Sequence, residues 1–274
     1  MEEIDLKSQI RQKLANYPKL WELFKDKIPE SPSLTVKKVY RDSNVEEKWG
    51  GHFNLWGILS NESDPQFKAY LHELNILLEK YGERYRSAYE EKNFFSKVIC
   101  EVYSFLSEIQ VYAIFLSNSV EPIIEPKVAK DSERRMDLSI NLCGREILIE
   151  IITPKPKERL LKQEVSFAGD FDLSRKLAYE VTEHFSGLSQ PISPTVIVID
   201  GSYSGIDPIV LRYAVEKLQQ LDEKIFVSAI LLYKSNWRPS MEINPTGPAL
   251  TKTEISRLRE IFAIDYQNSH SRLP

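Results

Sequence analysis

The chain has 274 residues, of which 42% are hydrophobic and 28% charged, with a formal net charge of −4. That length holds one large domain or a domain with an accessory piece, and the apolar share suffices for a full core. The acidic balance argues against a protein that coats nucleic acid indiscriminately, and no segment approaches the roughly 18 apolar residues of a membrane span. Cys100 and Cys143 form neither a disulfide framework nor a metal-ligand spacing. The opening MEEIDLKSQIRQK is charged and carries no apolar signal region. The expected setting is therefore the cytoplasm, with reduced thiols and no membrane.

Residues 1–92 read as a mostly helical region. Residues 4–27 suit a helix with Ile10, Leu14, Trp21 and Phe24 as core contacts, ended by the Pro/Ser stretch 29–33. KWGGHFNLWGILSNESD (48–64), with its glycines and tryptophans, suggests a loop that folds over the edge of the core. Asp64-Pro65 is a helix start signal, a capping acid followed by proline in the first turn. Phe67, Tyr70, Leu71, Leu74, Leu77, Leu78, Tyr81 and Tyr85 then recur at three- and four-residue spacing, the pattern of a long amphipathic helix.

From Asn93 the texture changes, and residues 93–250 read as an α/β core followed by a C-terminal helix and tail over 251–274. FFSKVICEVYSFLSEIQVYAIFLSN (94–118) is apolar on most sides, as expected of a helix buried between layers. Three strand-like runs follow at Pro122–Val128, Met136–Leu142 and Glu146–Ile152, the last two joined by a turn at Cys143-Gly144. After a charged stretch, Lys155–Asp172, come a helix (LSRKLAYEVTEHF), a buried strand Thr195–Asp200, a helix Pro208–Leu221 and a buried strand Phe226–Tyr233. Thr253–Tyr266 forms a last helix. The order implies one mixed central sheet flanked by helices.

Two acids interrupt the apolar strands. Alternation puts Asp137, Ser139 and Asn141 on one face and Met136, Leu138, Ile140 and Leu142 on the other. Simple antiparallel pairing about Cys143-Gly144 brings Asp137 and Glu150 to neighbouring positions on one side. Facing like charges destabilise a sheet, and carboxylates near a core carry a desolvation penalty. A divalent cation between them reverses that balance, and oxygen ligands suit Mg²⁺ or Mn²⁺ over zinc. Two plainer accounts stay open: this face meets solvent, or Arg134, Arg135 or Arg145 neutralises the acids. From Lys127 to Lys162, nine basic residues stand against six acidic ones, a local excess in an otherwise acidic chain.

A buried helix carrying Glu108, a strand, Asp137, a hairpin, then Glu150 in an Ile-rich strand: over residues 94–233 this order resembles the PD-(D/E)xK nuclease superfamily, the restriction-endonuclease-like fold. The resemblance implies that Asp137 and Glu150 hold Mg²⁺ (or Mn²⁺) with the backbone carbonyl of Ile151, and that Glu108 positions the metal or a water. It implies hydrolysis of nucleic-acid phosphodiesters, with DNA as the expected partner and a homodimer as the expected assembly. Arg134, Arg135, Lys157, Arg159 and Lys162 would then contact backbone phosphate.

The family places a lysine two residues after the second acid, where this chain has Ile152. An isoleucine neither orients a hydroxide nor offsets phosphate charge. Lys176, near the start of the following helix, is the first candidate to replace it. Lys155, five residues past Glu150 between Pro154 and Pro156, is the second. The missing lysine keeps a second reading open, a catalytically silent relative that binds nucleic acid or a protein. No HxH or HExxH pair, GxGxxG, GxxxxGK[ST] or GxSxG occurs. The stretch GSYSGIDP (201–208) reads as a strand-to-helix connection, with Asp207 and Pro208 at the helix start.

Overall fold

The structure is a computed structural model that describes residues 5–30, 36–39, 46–49, 54–89, 91–128, 135–153, 177–179, 181–182, 193–201, 206–220, 227–233, 239–244 and 247–270. The chain divides into two compact units, Met1–Gln110 and Val111–Pro274.

The first unit is helical. The single helix expected over 4–27 is two, α1 (Leu6–Leu14) and α2 (Pro18–Phe24), because Pro18 has no N–H to continue a helix and instead opens a new one. Tyr17, at the N-cap, gives α2 no side-chain cap. Asn75 supplies it from a distant helix, its Oδ1 accepting from the backbone N–H of Lys19 at 2.9 Å and of Leu20 at 3.2 Å. A short hairpin pairs β1 (Val36–Val39) with β2 (Glu46–Trp49). The loop expected over 48–64 is corrected, since it holds the end of β2 and a helix, α3 (Leu55–Ser60). Asn54 caps α3 at Gly57 N–H, 2.7 Å, and Trp56 is buried rather than displayed.

As expected, α4 (Pro65–Ala88) starts at Asp64, whose carboxylate accepts from Gln66 N–H at 2.8 Å. Its predicted stripe is the buried face, except that Leu77 is only half-buried. The one long helix expected over 94–118 is two, α5 (Glu91–Cys100) and α6 (Val102–Ser117), bent by 108° at Glu101. No single helix among the described residues is long and apolar enough to cross a membrane. Aromatic rings fill this unit: Phe24 meets Trp56 and Phe95, and Phe94 and Tyr85 meet Phe105, at edge-to-face distances of 5.5–6.4 Å.

The second unit is built on a six-stranded mixed sheet in the order β3-β4-β5-β6-β7-β8: Pro122–Ile124, Leu138–Leu142, Arg145–Ile152, Thr195–Asp200, Ala229–Tyr233 and Ser240–Ile243. The central pairs β5–β6 and β6–β7 are parallel, and the outer pairs are antiparallel. Strand β8 was not expected from the sequence. The hairpin between β4 and β5 turns on Cys143 (φ 56°) and Gly144 (φ 81°), the two positive dihedrals of a type I′ turn.

One sheet face carries Leu148, Ile152, Ile197, Ile199, Ile230 and Leu232. These pack with Leu177, Ala178 and Val181 of a helical segment and with Val210, Leu211, Ala214 and Leu218 of α7 (Pro208–Gln219). Asp207 caps α7 at Ile209 and Val210, both 2.8 Å, so the connection after β6 ends as read from the sequence. On the opposite face Phe262 of α8 (Lys252–His270) touches Tyr233 and Phe115, with ring centroids 5.6 and 5.7 Å apart. Thr251 and Glu254 start α8 as a reciprocal capping pair.

Candidate metal centre

The register of β4 on β5 pairs Leu138 with Ile149. The paired register begins there: Asp137 lies at a bend one residue before Leu138, and Glu150 is one residue after Ile149. Asp137 precedes the first residue of β4 but remains aligned on its other side, where Glu125 N–H donates to the Asp137 carbonyl at 3.0 Å. Its carboxylate does what a backbone carbonyl would otherwise do: Oδ2 accepts the Ile151 N–H at 2.7 Å. That bond ties the side chain to β5 beside Glu150. Both acids are half-buried.

Glu150 interrupts an otherwise closed apolar row. Its own face of β5 has Leu148 and Ile152, 1% and 5% exposed, on either side. Across the parallel ladder it is in register with Ile197, and Ile197 with Ile230. The account in which this face meets solvent holds for Asn141 and Glu146, which are exposed, and in part for the two half-buried acids, and fails at Ser139, which is 1% exposed. The arginine account also fails for the two arginines described. Arg135 donates to the Glu125 carbonyl at 2.8 Å, and Arg145 reaches the Ala249 carbonyl at 3.0 Å and Glu254 at 3.7 Å.

Glu108 lies in the first unit, on α6, and is 1% exposed. Its Oε2 meets the Lys97 ammonium at 2.5 Å and its Oε1 accepts from the Tyr89 hydroxyl at 2.9 Å. Lys97 also donates to the Tyr89 oxygen at 2.7 Å, which closes a ring of three side chains. Lys97 was missed in the sequence reading, which sought a cation only downstream of Glu150. Among the described residues no group of three or more His, Cys, Asp or Glu side chains is gathered in the manner of a metal cage.

The position of the family lysine is closed. Ile152 is 5% exposed and belongs to the apolar cluster with Met136, Leu177 and Val181. Lys155, Lys157, Arg159, Lys162, Lys176 and Arg134 lie outside the described residues. Arg135, the remaining phosphate-contact candidate, is exposed at an isolated bridge to Lys127.

Three further hydroxyls are buried without a hydrogen-bond partner among the described residues: Ser139 Oγ, Thr153 Oγ1 and Thr195 Oγ1. Ser139 and Thr195 stand in one row across the sheet, on either side of Leu148. The row continues to Ser228, whose Oγ accepts from Thr195 N–H at 3.0 Å, and to Asn244, whose N–H donates to the Ser228 carbonyl at 3.0 Å. The signal for Ser139 was present in the sequence, a serine on the acid-bearing side of β4. Comparison with protein-family models, curated proteins and solved structures finds no match for this chain.

Proposed function

We propose that this chain is a metal-dependent nuclease of the PD-(D/E)xK type, hydrolysing nucleic-acid phosphodiesters at a site built on Asp137 and Glu150. The observation that carries the reading is the register. It pairs Leu138 with Ile149, and the Asp137 carboxylate accepts the Ile151 N–H at 2.7 Å, which brings that carboxylate to β5 next to the residue that follows Glu150. Two carboxylates carried at the start of β4 and within β5 offer oxygen donors to a divalent cation, and that donor type fits Mg²⁺ or Mn²⁺. When bound, such an ion supplies an activated water and charge to offset that of the attacked phosphate. Asp137, tied to Ile151 N–H through one oxygen, holds its carboxylate beside β5, the strand that carries Glu150.

A second reading, a silent relative that binds nucleic acid or a protein, is favoured by one observation. The side chain at the lysine position, Ile152, is packed in the core. A lysine from another element, with Lys176 the first choice and Lys155 the second, is needed if the site turns over.

Single- and double-stranded DNA and RNA incubated with the protein in Mg²⁺ or Mn²⁺, against EDTA, separate the two. The nuclease reading expects chelator-sensitive cleavage that disappears in the Asp137→Ala, Glu150→Ala double variant. Cleavage that survives both substitutions contradicts the site. Binding without turnover, indifferent to chelator, selects the silent relative.

A further inference from the structure

We propose that Ser139 is a third member of the Asp137–Glu150 site, its hydroxyl holding a water on the bound divalent cation. The inference rests on the reading above and adds to it a positioning residue. Ser139 is 1% exposed and its Oγ has no hydrogen-bond partner among the described residues. A hydroxyl in that state costs stability, and native chains seldom keep one unless a water, ion or ligand completes it.

Its place on β4 says which. Ser139 is on β4 two residues after Asp137, a separation of at most about 7 Å along the chain, and Asp137 is tied to β5 through its bond to Ile151 N–H. Ser139 pairs with Leu148, which makes it the diagonal neighbour of Glu150, a Cβ separation of about 7–8 Å or somewhat less. Those spacings are too long for Ser139 to ligate an ion clasped by the two acids. They suit one intervening water, since an ion–oxygen bond of about 2.1 Å followed by a hydrogen bond of about 2.8 Å spans the gap. Mg²⁺ gives up its waters reluctantly and is held with several of them in place, so groups that orient those waters are part of its site. The other two buried strand hydroxyls do not qualify. Thr195 lies beyond Leu148, away from Asp137, and Thr153 alternates onto the opposite face with Ile149 and Ile151.

The test is Mn²⁺ binding by the full chain, followed by electron paramagnetic resonance titration, with no substrate present. Wild type is expected to bind Mn²⁺, and the Asp137→Asn, Glu150→Gln double variant to lose it. Ser139→Ala should weaken binding by about 10-fold or more, the range seen when a group supporting a metal's ligands is removed. Its metal-free thermal midpoint should be unchanged or higher, because a partnerless hydroxyl has been removed. Ser139→Thr and Ser139→Val, alike in shape, add a comparison that survives any loss of packing in the alanine variant: Thr retains affinity and Val weakens it. Wild-type affinity in Ser139→Ala, or equal weakening in Thr and Val, overturns the role of Ser139 and leaves the acid pair standing. No Mn²⁺ binding by wild type, or undiminished binding by the double variant, overturns both.

Discussion

The two units bury acid in opposite ways. In the helical unit Glu108 is enclosed by an ammonium and a phenol, with Lys97 and Tyr89 closing a ring about it. In the sheet unit one Asp137 oxygen accepts a backbone N–H of β5, the strand that carries Glu150, and a serine hydroxyl without a hydrogen-bond partner among the described residues lies two residues on. A carboxylate removed from water must find compensation. Where it comes from a fixed ammonium, the group is a structural clasp. Where a carboxylate leans on a backbone N–H of the strand that carries a second acid, our proposal is a seat for a cation that arrives from solution.

The contrast can be broken first at Lys97. Lys97→Met removes the ammonium from the buried Glu108 carboxylate, and removal of one partner from a buried pair costs about 3–5 kcal/mol. Urea unfolding should show that loss. A loss below about 1 kcal/mol would mean that the ring of three side chains is not a clasp.

The next effect probes the rigidity of the sheet unit. A Cβ on Gly247 would lie 2.4 Å from the Val227 carbonyl carbon, at the N-terminal end of β7 where the polar row begins. The backbone there cannot yield as a flexible side chain would. Gly247→Ala should cost about 1–3 kcal/mol, read as a lowered unfolding midpoint.

In the helical unit Asn75 caps α2 from α4, and Asn75→Ala leaves two backbone N–H groups of that helix without their acceptor. A loss of about 1–2 kcal/mol is expected by chemical denaturation.

The smallest effect is confined to alkaline pH. Burial pushes the Tyr17 phenol above its ordinary value, and the hydrogen-bonded Glu62 carboxylate reinforces the shift. A pKa raised on folding stabilises while the group is protonated in both states. The contribution is therefore full below pH about 10 and is lost as pH climbs from there towards the folded value. Tyr17→Phe should flatten the alkaline decline of stability, measured as unfolding midpoint against pH.

Residue patterns made the sheet legible and left the helical bends obscure. Continuous aliphatic runs announced β5, β6 and β7, and Cys143-Gly144 fixed the hairpin, so the register of β4 on β5 could be counted on the sequence. Asp64 and Asp207 marked their helix starts because a capping side chain acts on the next few residues. The bend between α5 and α6 carries no proline or glycine from Phe94 to Ser117, so nothing local separates it from one long helix. Strand β8 is four residues whose place depends on pairing with β7, and α3 sits among glycines. The Lys97–Glu108 contact closes across the bend between α5 and α6, which spacing along a straight helix does not anticipate. Strand alternation let Asp137 and Glu150 be proposed as neighbours, whereas the partnerless state of the Ser139 hydroxyl emerges only from packing.

The central claim is that a divalent cation is held between Asp137 and Glu150. A crystal of the full chain soaked in Mn²⁺ and measured for anomalous scattering tests it directly. The account predicts a peak with one oxygen of each carboxylate within about 2.0–2.2 Å. A lysine or arginine seated between the two carboxylates, with no peak beside them, would contradict it.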